Sequence, residues 1–195
     1  NKLSFSQDAL YKLDIFCSEV IEYNKKFNLI AKSTERDIWD RHVLDSAQLT
    51  SFIDFKDNKS LSDLGTGAGF PGVVLAIFNK NPDFHVKLYE KSRVKTKFLT
   101  YVCKKLNIKA EIYPNDYQSH NVDSFYIVSR AFKKLEEHIR ISREIIKVKH
   151  KLIVLKGKNA EKEIKQLNNK FNYGYSLEKS ITSPDSKILI VDIKK

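Results

Sequence analysis

The chain has 195 residues, a net charge of +11 and two cysteines. That length suits one domain, or one domain with a small appendage, and is enough to bury a core without disulfides or metals. No segment reaches the ~20 apolar residues needed to cross a bilayer, Asn1-Lys2-Leu3-Ser4 opens no signal-like apolar run, and the five histidines lack metal-ligand spacing, so a cytoplasmic, metal-free protein is expected.

The charge is uneven. Residues 1–60 hold nine basic against ten acidic side chains, and residues 61–110 hold nine against three. The densest run is Lys87, Lys91, Arg93, Lys95, Lys97, Lys104, Lys105 and Lys109. A polyanion is the functional reading of such a run; a solvated lysine-rich surface is the plain one.

Residues 4–31 carry apolar positions at three- and four-residue spacing (Leu10, Leu13, Phe16, Cys17, Val20, Ile21, Phe27) behind Ser4-Phe5-Ser6-Gln7, which has the form of a capping box. This predicts a helix. A second helix is expected from Thr34, with Ile38, Trp39, Val43, Ala47 and Leu49 inward and Trp39 in the core. Cys17 and Cys103 read as buried, inert thiols. The texture changes at Ser60-Leu61-Ser62-Asp63-Leu64, a short strand. A helix from Phe70 to Phe78 follows, with Pro71 in its first turn. Strands at 85–90 and 109–113 flank a helix between Lys91 and Asn107 whose apolar face includes Val94 and Phe98. Residues 125–129 read as a central parallel strand, 131–147 as helix, 151–155 as strand and 159–170 as polar helix. Residues 176–181 and 187–193 read as a last strand pair, with Ser183-Pro184-Asp185 as the turn. Alternating strands and helices predict a mostly parallel sheet covered on both faces, with an antiparallel C-terminal edge. The expected division is an N-terminal helical subdomain, 1–57, and an α/β domain, 58–195.

The chemistry is carried by Asp63-Leu64-Gly65-Thr66-Gly67-Ala68-Gly69-Phe70-Pro71-Gly72. Glycines let a ligand approach the backbone in a strand-to-helix turn, and in an open α/β sheet that turn lies where ligands bind. From Gly67 the row is Gly-x-Gly-x-x-Gly, the dinucleotide fingerprint. From Asp63 it is Asp-x-Gly-x-Gly-x-Gly, a form suited to S-adenosylmethionine (SAM). Glu90, ending the next strand, fits a ribose in either case. The acid-ended strand, the helical segment before it and the strand order favour SAM and a Rossmann-like class I SAM-dependent methyltransferase fold over an NAD(P)-dependent oxidoreductase.

Five blocks stand in order: Asn28-Leu29, Arg41-His42-Val43-Leu44-Asp45-Ser46, Asp63 to Gly72, Ser129-Arg130-Ala131-Phe132 and Leu155-Lys156-Gly157. Together they resemble the bacterial 16S ribosomal RNA (guanine-N7) methyltransferase family, the glucose-inhibited division protein B family, from about Asn28 to Ile193. The resemblance implies methyl transfer from SAM to N7 of a guanine in 16S rRNA, by a cytoplasmic monomer working on the RNA or the small ribosomal subunit; a SAM methyltransferase for another substrate is the alternative. It also implies cofactor contacts from Asp63, Gly65, Gly67, Gly69 and Phe70, a ribose contact from Glu90, an adenine contact from Asp116 and Tyr117, and catalytic places for Arg130 and Lys156, Arg130 also lining the cofactor. RNA contacts would come from Arg41, His42, Lys95 and Lys156. The row Asn115-Asp116-Tyr117-Gln118 departs from the family pattern after the third strand.

Guanine N7 has a free lone pair, so the reaction predicts positioning and water exclusion rather than a general base. Phe70 or Tyr117 is a candidate to stack on the base. Arg41 and Asp45 share a helix face, which reads either as an ion pair with His42 packed beside it or as RNA contact. His85, His120, His138 and His150 read as surface or edge residues, and the 91–109 lysines as phosphate contacts.

Overall fold

The computed structural model describes residues 3–57, 59–130, 134–168 and 174–194. Helix α1 (Gln7–Asn24) buries Ala9, Leu13, Phe16, Cys17 and Val20, the inward stripe of the predicted pattern. It is shorter than 4–31 at both ends. The cap is Ser6, whose hydroxyl accepts from Ala9 N at 3.2 Å, rather than a box starting at Ser4. At the far end the Asn24 side chain accepts from Leu29 N and Ile30 N at 2.7 and 3.0 Å, turning the chain back, and Phe27 is left exposed.

The expected second helix is broken into a 3-10 turn (Lys32–Thr34), a wide π-turn (Trp39–Leu44), a single α-turn, α2 (Asp45–Ala47), and another 3-10 turn (Gln48–Phe52). The changes in pitch re-aim successive faces. His42 and Val43 turn inward, while Trp39, expected in the core, is 39% exposed.

Strand β1 (Ser60–Leu64) leads through the glycine turn to α3 (Gly72–Phe78), for which Pro71 is the N-cap rather than a first-turn residue. Then come β2 (His85–Glu90), α4 (Arg93–Lys105), β3 (Glu111–Pro114), β4 (Tyr126–Arg130), α5 (Leu135–Ile145), β5 (His150–Lys156), α6 (Ala160–Asn168), β6 (Gly174–Lys179) and β7 (Lys187–Ile193). Helix α4 is capped by Ser92 and stops where Asn107 adopts φ +49, with Ile108 N returning to Cys103 O at 2.8 Å. Val94, expected on its apolar face, is exposed. The Ala131-Phe132 part of the fourth block lies outside the described residues.

The sheet order is β3-β2-β1-β4-β5-β7-β6. The first five strands are parallel, and β7 enters antiparallel between β5 and β6. Alternate strand residues face two apolar layers. One layer joins Leu61, Leu88, Val128 and Ile153 to α1, α3, α4 and the 38–53 segment. The other joins Leu64, Ile127, Leu152 and Val154 to Leu135 and Ile139 of α5 and Ile164 of α6. The N-terminal helical segment therefore forms part of the core on one sheet face. Leaving β1, the chain first winds to β2 and β3 and then crosses to β4. The switch point between β1 and β4 opens a crevice at their carboxyl ends. Among the described residues no helix is long and apolar enough to cross a membrane.

Candidate active site

Two half-sites meet at that crevice. The first is made mostly of backbone. Gly65, Gly67 and Gly69 take φ of +72, +62 and +105, so the chain reverses tightly after β1. Gly65 N and Thr66 N donate to Tyr89 O at 2.9 and 3.1 Å, tying the loop to β2. Glu90 then holds both sides of the cleft: one carboxylate oxygen accepts from Gly67 N at 2.9 Å, the other from Ser92 N at 2.8 Å. Beneath the loop, Asp63 is fully buried and accepts from Gly72 N at 2.7 Å. A Cβ on Gly72 would stand 2.7 Å from that carboxylate and collide with Leu88, so the helix can approach β1 only with glycine there. Burial pushes the Asp63 carboxyl up to about 7. The buried Thr66 hydroxyl, the Gly72 N–H and the Arg130 charge act against that rise.

Beyond β3, Asp116 caps a short turn by accepting from Gln118 N at 3.4 Å, Asn115 adopts φ +74, and Tyr117 is 8% exposed. Phe70 is also buried. Its ring packs on Phe16 at 5.0 Å and His42 at 4.9 Å, with the Arg130 guanidinium 5.5 Å above it. Phe70 is thus a packing residue here, its ring covered by Phe16, His42 and Arg130.

The second half-site is made of side chains that end β4 and β5, where Arg130 pairs in register with Leu155. Arg130 donates to the Arg41 carbonyl at 2.8 Å and to His42 Nδ1 at 2.6 Å, and faces Asp45 at 3.8 Å. Arginine has no acceptor, so His42 Nδ1 is bare, and the ring's Nε2–H donates to the Thr34 hydroxyl at 2.8 Å. That hydroxyl in turn donates to the Ala31 carbonyl at 2.7 Å. Burial first, then the Arg130 and Arg41 charges, bring the His42 pKa down to about 4, which keeps the ring a neutral acceptor. Asp45 also accepts from the Thr182 hydroxyl at 2.8 Å and from Gln48 Nε2 at 3.0 Å, and Gln48 reaches Ser180 at 3.0 Å. The turn between β6 and β7 is thereby tied to the helical segment.

The ion pair expected between Arg41 and Asp45 is replaced by Arg130–Asp45, and the Arg41 side chain is exposed. The bracing expected of the Arg41-His42-Asp45 block exists, with Arg130 as its hub. Lys156 pairs with Glu163 of α6 at 2.9 Å, and the same Glu163 oxygen accepts from Leu135 N at 2.6 Å. Arg130, Lys156, Asp45, Lys134, Lys158 and Glu163 are among the residues lining a cavity of about 500 Å³, within the range of small-ligand sites. Lys95 is half-buried in the first turn of α4, where its N–H donates to the capping Ser92 hydroxyl at 3.5 Å. His138 and His150, expected at the surface, are buried, and His138 meets the Ser129 hydroxyl at 2.9 Å.

Lys134, Thr34 and Thr182 escaped sequence reasoning because no local spacing marks them, and Glu163 was passed over. Only Glu163 had a signal, as an acid seven positions after a strand-ending lysine, one helical turn into α6. Among the described residues no group of three His, Cys, Asp or Glu could hold a metal ion.

The wider likenesses agree with this geometry. A SAM-dependent methyltransferase from Aquifex aeolicus superposes with a TM-score of 0.61 at 12% identity, over 83% of this chain and 94% of its own. TYW2 of P. horikoshii in complex with MeSAdo superposes at 0.55 with 13% identity, over 77% of this chain; the match spans 61% of that protein's length. At such identities these likenesses establish the class I methyltransferase fold. By sequence, the ribosomal RNA small subunit methyltransferase G of Pelagibacter ubique is 36% identical over 97% of this chain and 91% of its own length. That of Rickettsia rickettsii (strain Sheila Smith) is 35% identical over 95% and 94%. The GidB family profile, described as rRNA small subunit methyltransferase G, matches residues 9–189. The chain belongs to the rRNA small subunit methyltransferase G family.

Proposed function

We propose that this chain transfers the methyl group of SAM to N7 of one guanine in 16S rRNA, acting in the cytoplasm as a monomer, with residues 1–57 as a helical subdomain on a 58–195 catalytic unit. The observation that carries the reading is the junction of the two half-sites, where Arg130 lies over Phe70 at 5.5 Å between the glycine loop and the 500 Å³ cavity. A cofactor held on the first half would face a base held in the second.

The residues present suit SAM. The glycine turn from Gly65 to Gly69 would take the methionine portion, with Asp63 holding the loop from beneath, Glu90 would take the ribose, and Asp116 and Tyr117 the adenine. Over Gly67 a Cβ would meet nothing nearer than the Gly65 carbonyl at 4.0 Å, so the loop backbone is open to a ligand there. Bound SAM supplies a methyl activated by a positive sulfur.

The chain's own task is then to bind, orient and exclude water. N7 carries a free lone pair, so no group here has to remove a proton from it. Positive charge grows on the guanine as the methyl arrives, and a bare cation against N7 would oppose it. Two of the cavity's cations have carboxylate companions, Asp45 for Arg130 and Glu163 for Lys156. These pairs offer N–H donors toward guanine O6 or a phosphate while keeping the local charge low.

The test is transfer from radiolabelled SAM to small-subunit particles from cells lacking this activity, with the product mapped by N7-specific cleavage. Label at one guanine is the expected result. SAM binding without incorporation would assign another acceptor, and absence of SAM binding would overturn the reading.

A further inference from the structure

We propose that the outer face of α6 is the phosphate track for the RNA strand that delivers the target guanine, an inference that rests on the function just given. The sequence directs attention to the 91–109 lysines, but the fold distributes those differently. Helix α4 covers β2 and β3 and runs back from the cofactor end, so its last turn lies ~20 Å from the crevice at 1.5 Å per residue. Lys105 there is already engaged by Glu19 at 2.6 Å and lies over the Tyr101 ring at 5.6 Å.

Helix α6 is placed otherwise. It begins four residues after Lys156. Ala160 and Ile164 are buried, and Glu163 turns inward to Lys156. That leaves Lys158 in the entering turn and Lys162 and Lys165 on the opposite face, all exposed. Among the described residues none of the three has a carboxylate partner. With Glu161 and Gln166 they line a groove of about 520 Å³. Lys158 lines this groove and the base cavity alike, so the two adjoin at that residue.

A base held in the cavity brings its flanking phosphates with it. The lysines stand four and three positions apart, a reach of ~10 Å, which matches about three nucleotides at the 3.4 Å per residue of a stacked strand. Three cations against the single Glu161 suit a polyanion. Flexible ammonium groups satisfy phosphates without reading sequence, which complements a cavity that reads one base.

The experiment compares three variants on the undermethylated small-subunit particles: K158Q/K162Q/K165Q, the charge-keeping K158R/K162R/K165R, and K80Q/K104Q/K109Q at the opposite edge of the sheet as a charge-matched control. Methyl-transfer kinetics, SAM affinity and the salt dependence of particle binding are measured for each. The glutamine triple on α6 is expected to lose at least tenfold in kcat/KM through KM, with SAM affinity unchanged. Its log K against log salt slope should become shallower by about 2, near 0.7–0.9 per lost phosphate contact. The arginine triple restores the slope, and the control shifts kcat/KM less than threefold. Equal losses in the α6 and control triples would mean that net charge alone matters, and an unchanged slope in the α6 triple would also overturn the track. Failure of the wild type to methylate the particles at all would instead strike the proposed function, and this inference with it.

Discussion

The two halves of the crevice are built in opposite ways. At the ends of β1 and β2 the work is done by backbone: three left-handed glycines, N–H groups satisfied by Tyr89 O and Glu90, and one buried carboxylate under the loop. At the ends of β4 and β5 it is done by long side chains held by partners distant in sequence, as Arg130 is by His42, 88 residues away. Backbone sites tolerate little change of residue size but are written in one contiguous segment. Side-chain sites are assembled by the fold and fail through loss of partners. Substitutions should separate these two modes.

The largest effect is expected from Arg130→Ala. It strips His42 Nδ1 and Asp45 of their cation in a mostly buried setting, which should cost about 2–4 kcal/mol in urea unfolding. Since the guanidinium also borders both half-sites, kcat/KM should fall at least a hundredfold. Pairing it with His42→Ala sharpens the comparison: the double variant should be less destabilised than the sum of the singles, by about 1 kcal/mol or more. Strict additivity would show that the two side chains do not act as a unit.

Gly72→Ala tests the backbone half. Its Cβ would meet Asp63 and Leu88, so α3 must shift, at about 1–3 kcal/mol. Calorimetry should show weakened SAM binding, whereas Arg130→Ala should weaken it less. If Gly72→Ala is stable and binds SAM normally, the close helix–strand approach is not what shapes the loop.

Glu163→Gln is expected to cost about 1–3 kcal/mol, since the pair is mostly buried and the same oxygen accepts from Leu135 N. SAM affinity should hold. The methyl-transfer rate at saturating RNA should drop, by about tenfold, because Lys156 would face the developing guanine charge without its companion. A rate equal to wild type would remove the charge-balancing role.

The pH dependences have opposite signs. The folded Asp63 pKa lies above its unfolded value, so the folded state binds the proton more tightly, and stability declines as pH rises from about 4 to about 7. For His42 the folded pKa of about 4 lies below the unfolded value, so stability is present above about 6.5 and is lost as pH falls toward 4. Differences between wild type and Asp63→Asn, and between wild type and His42→Gln, in Tm across pH 4–8 without cofactor should carry these slopes. A His42→Gln curve parallel to wild type in acid would show that the ring is protonated without penalty in the fold.

Most of the sheet was legible in the sequence. Short apolar runs between turn residues marked β1, β2, β4, β5 and β7, and the acid-ended strand before alternating glycines marked the cofactor loop. The strand count and the antiparallel edge followed from alternation with helices. The 32–52 region was misread, because helical spacing of apolar residues does not distinguish one straight helix from a chain of 3-10, π and α turns that exposes Trp39 and buries His42. His138 and His150 were misread for a related reason. A histidine enters a core when a hydroxyl or carbonyl meets its ring, as Ser129 meets His138 and the Val148 carbonyl meets His150, and that depends on packing.

What the sequence alone determined was the class of fold, the glycine loop and the family, because each rests on contiguous residues whose backbone demands are local. What only the tertiary structure decided was how the cations are deployed. Arg130 became a hub for His42 and Asp45, Lys156 took Glu163, and Lys158, Lys162 and Lys165 came to lie beside the cavity at the ends of β4 and β5. A charged side chain reaches several ångströms and takes whichever carboxylate, carbonyl or ring nitrogen the fold brings near, so its partner is a property of the assembled sheet and not of its neighbours in the chain.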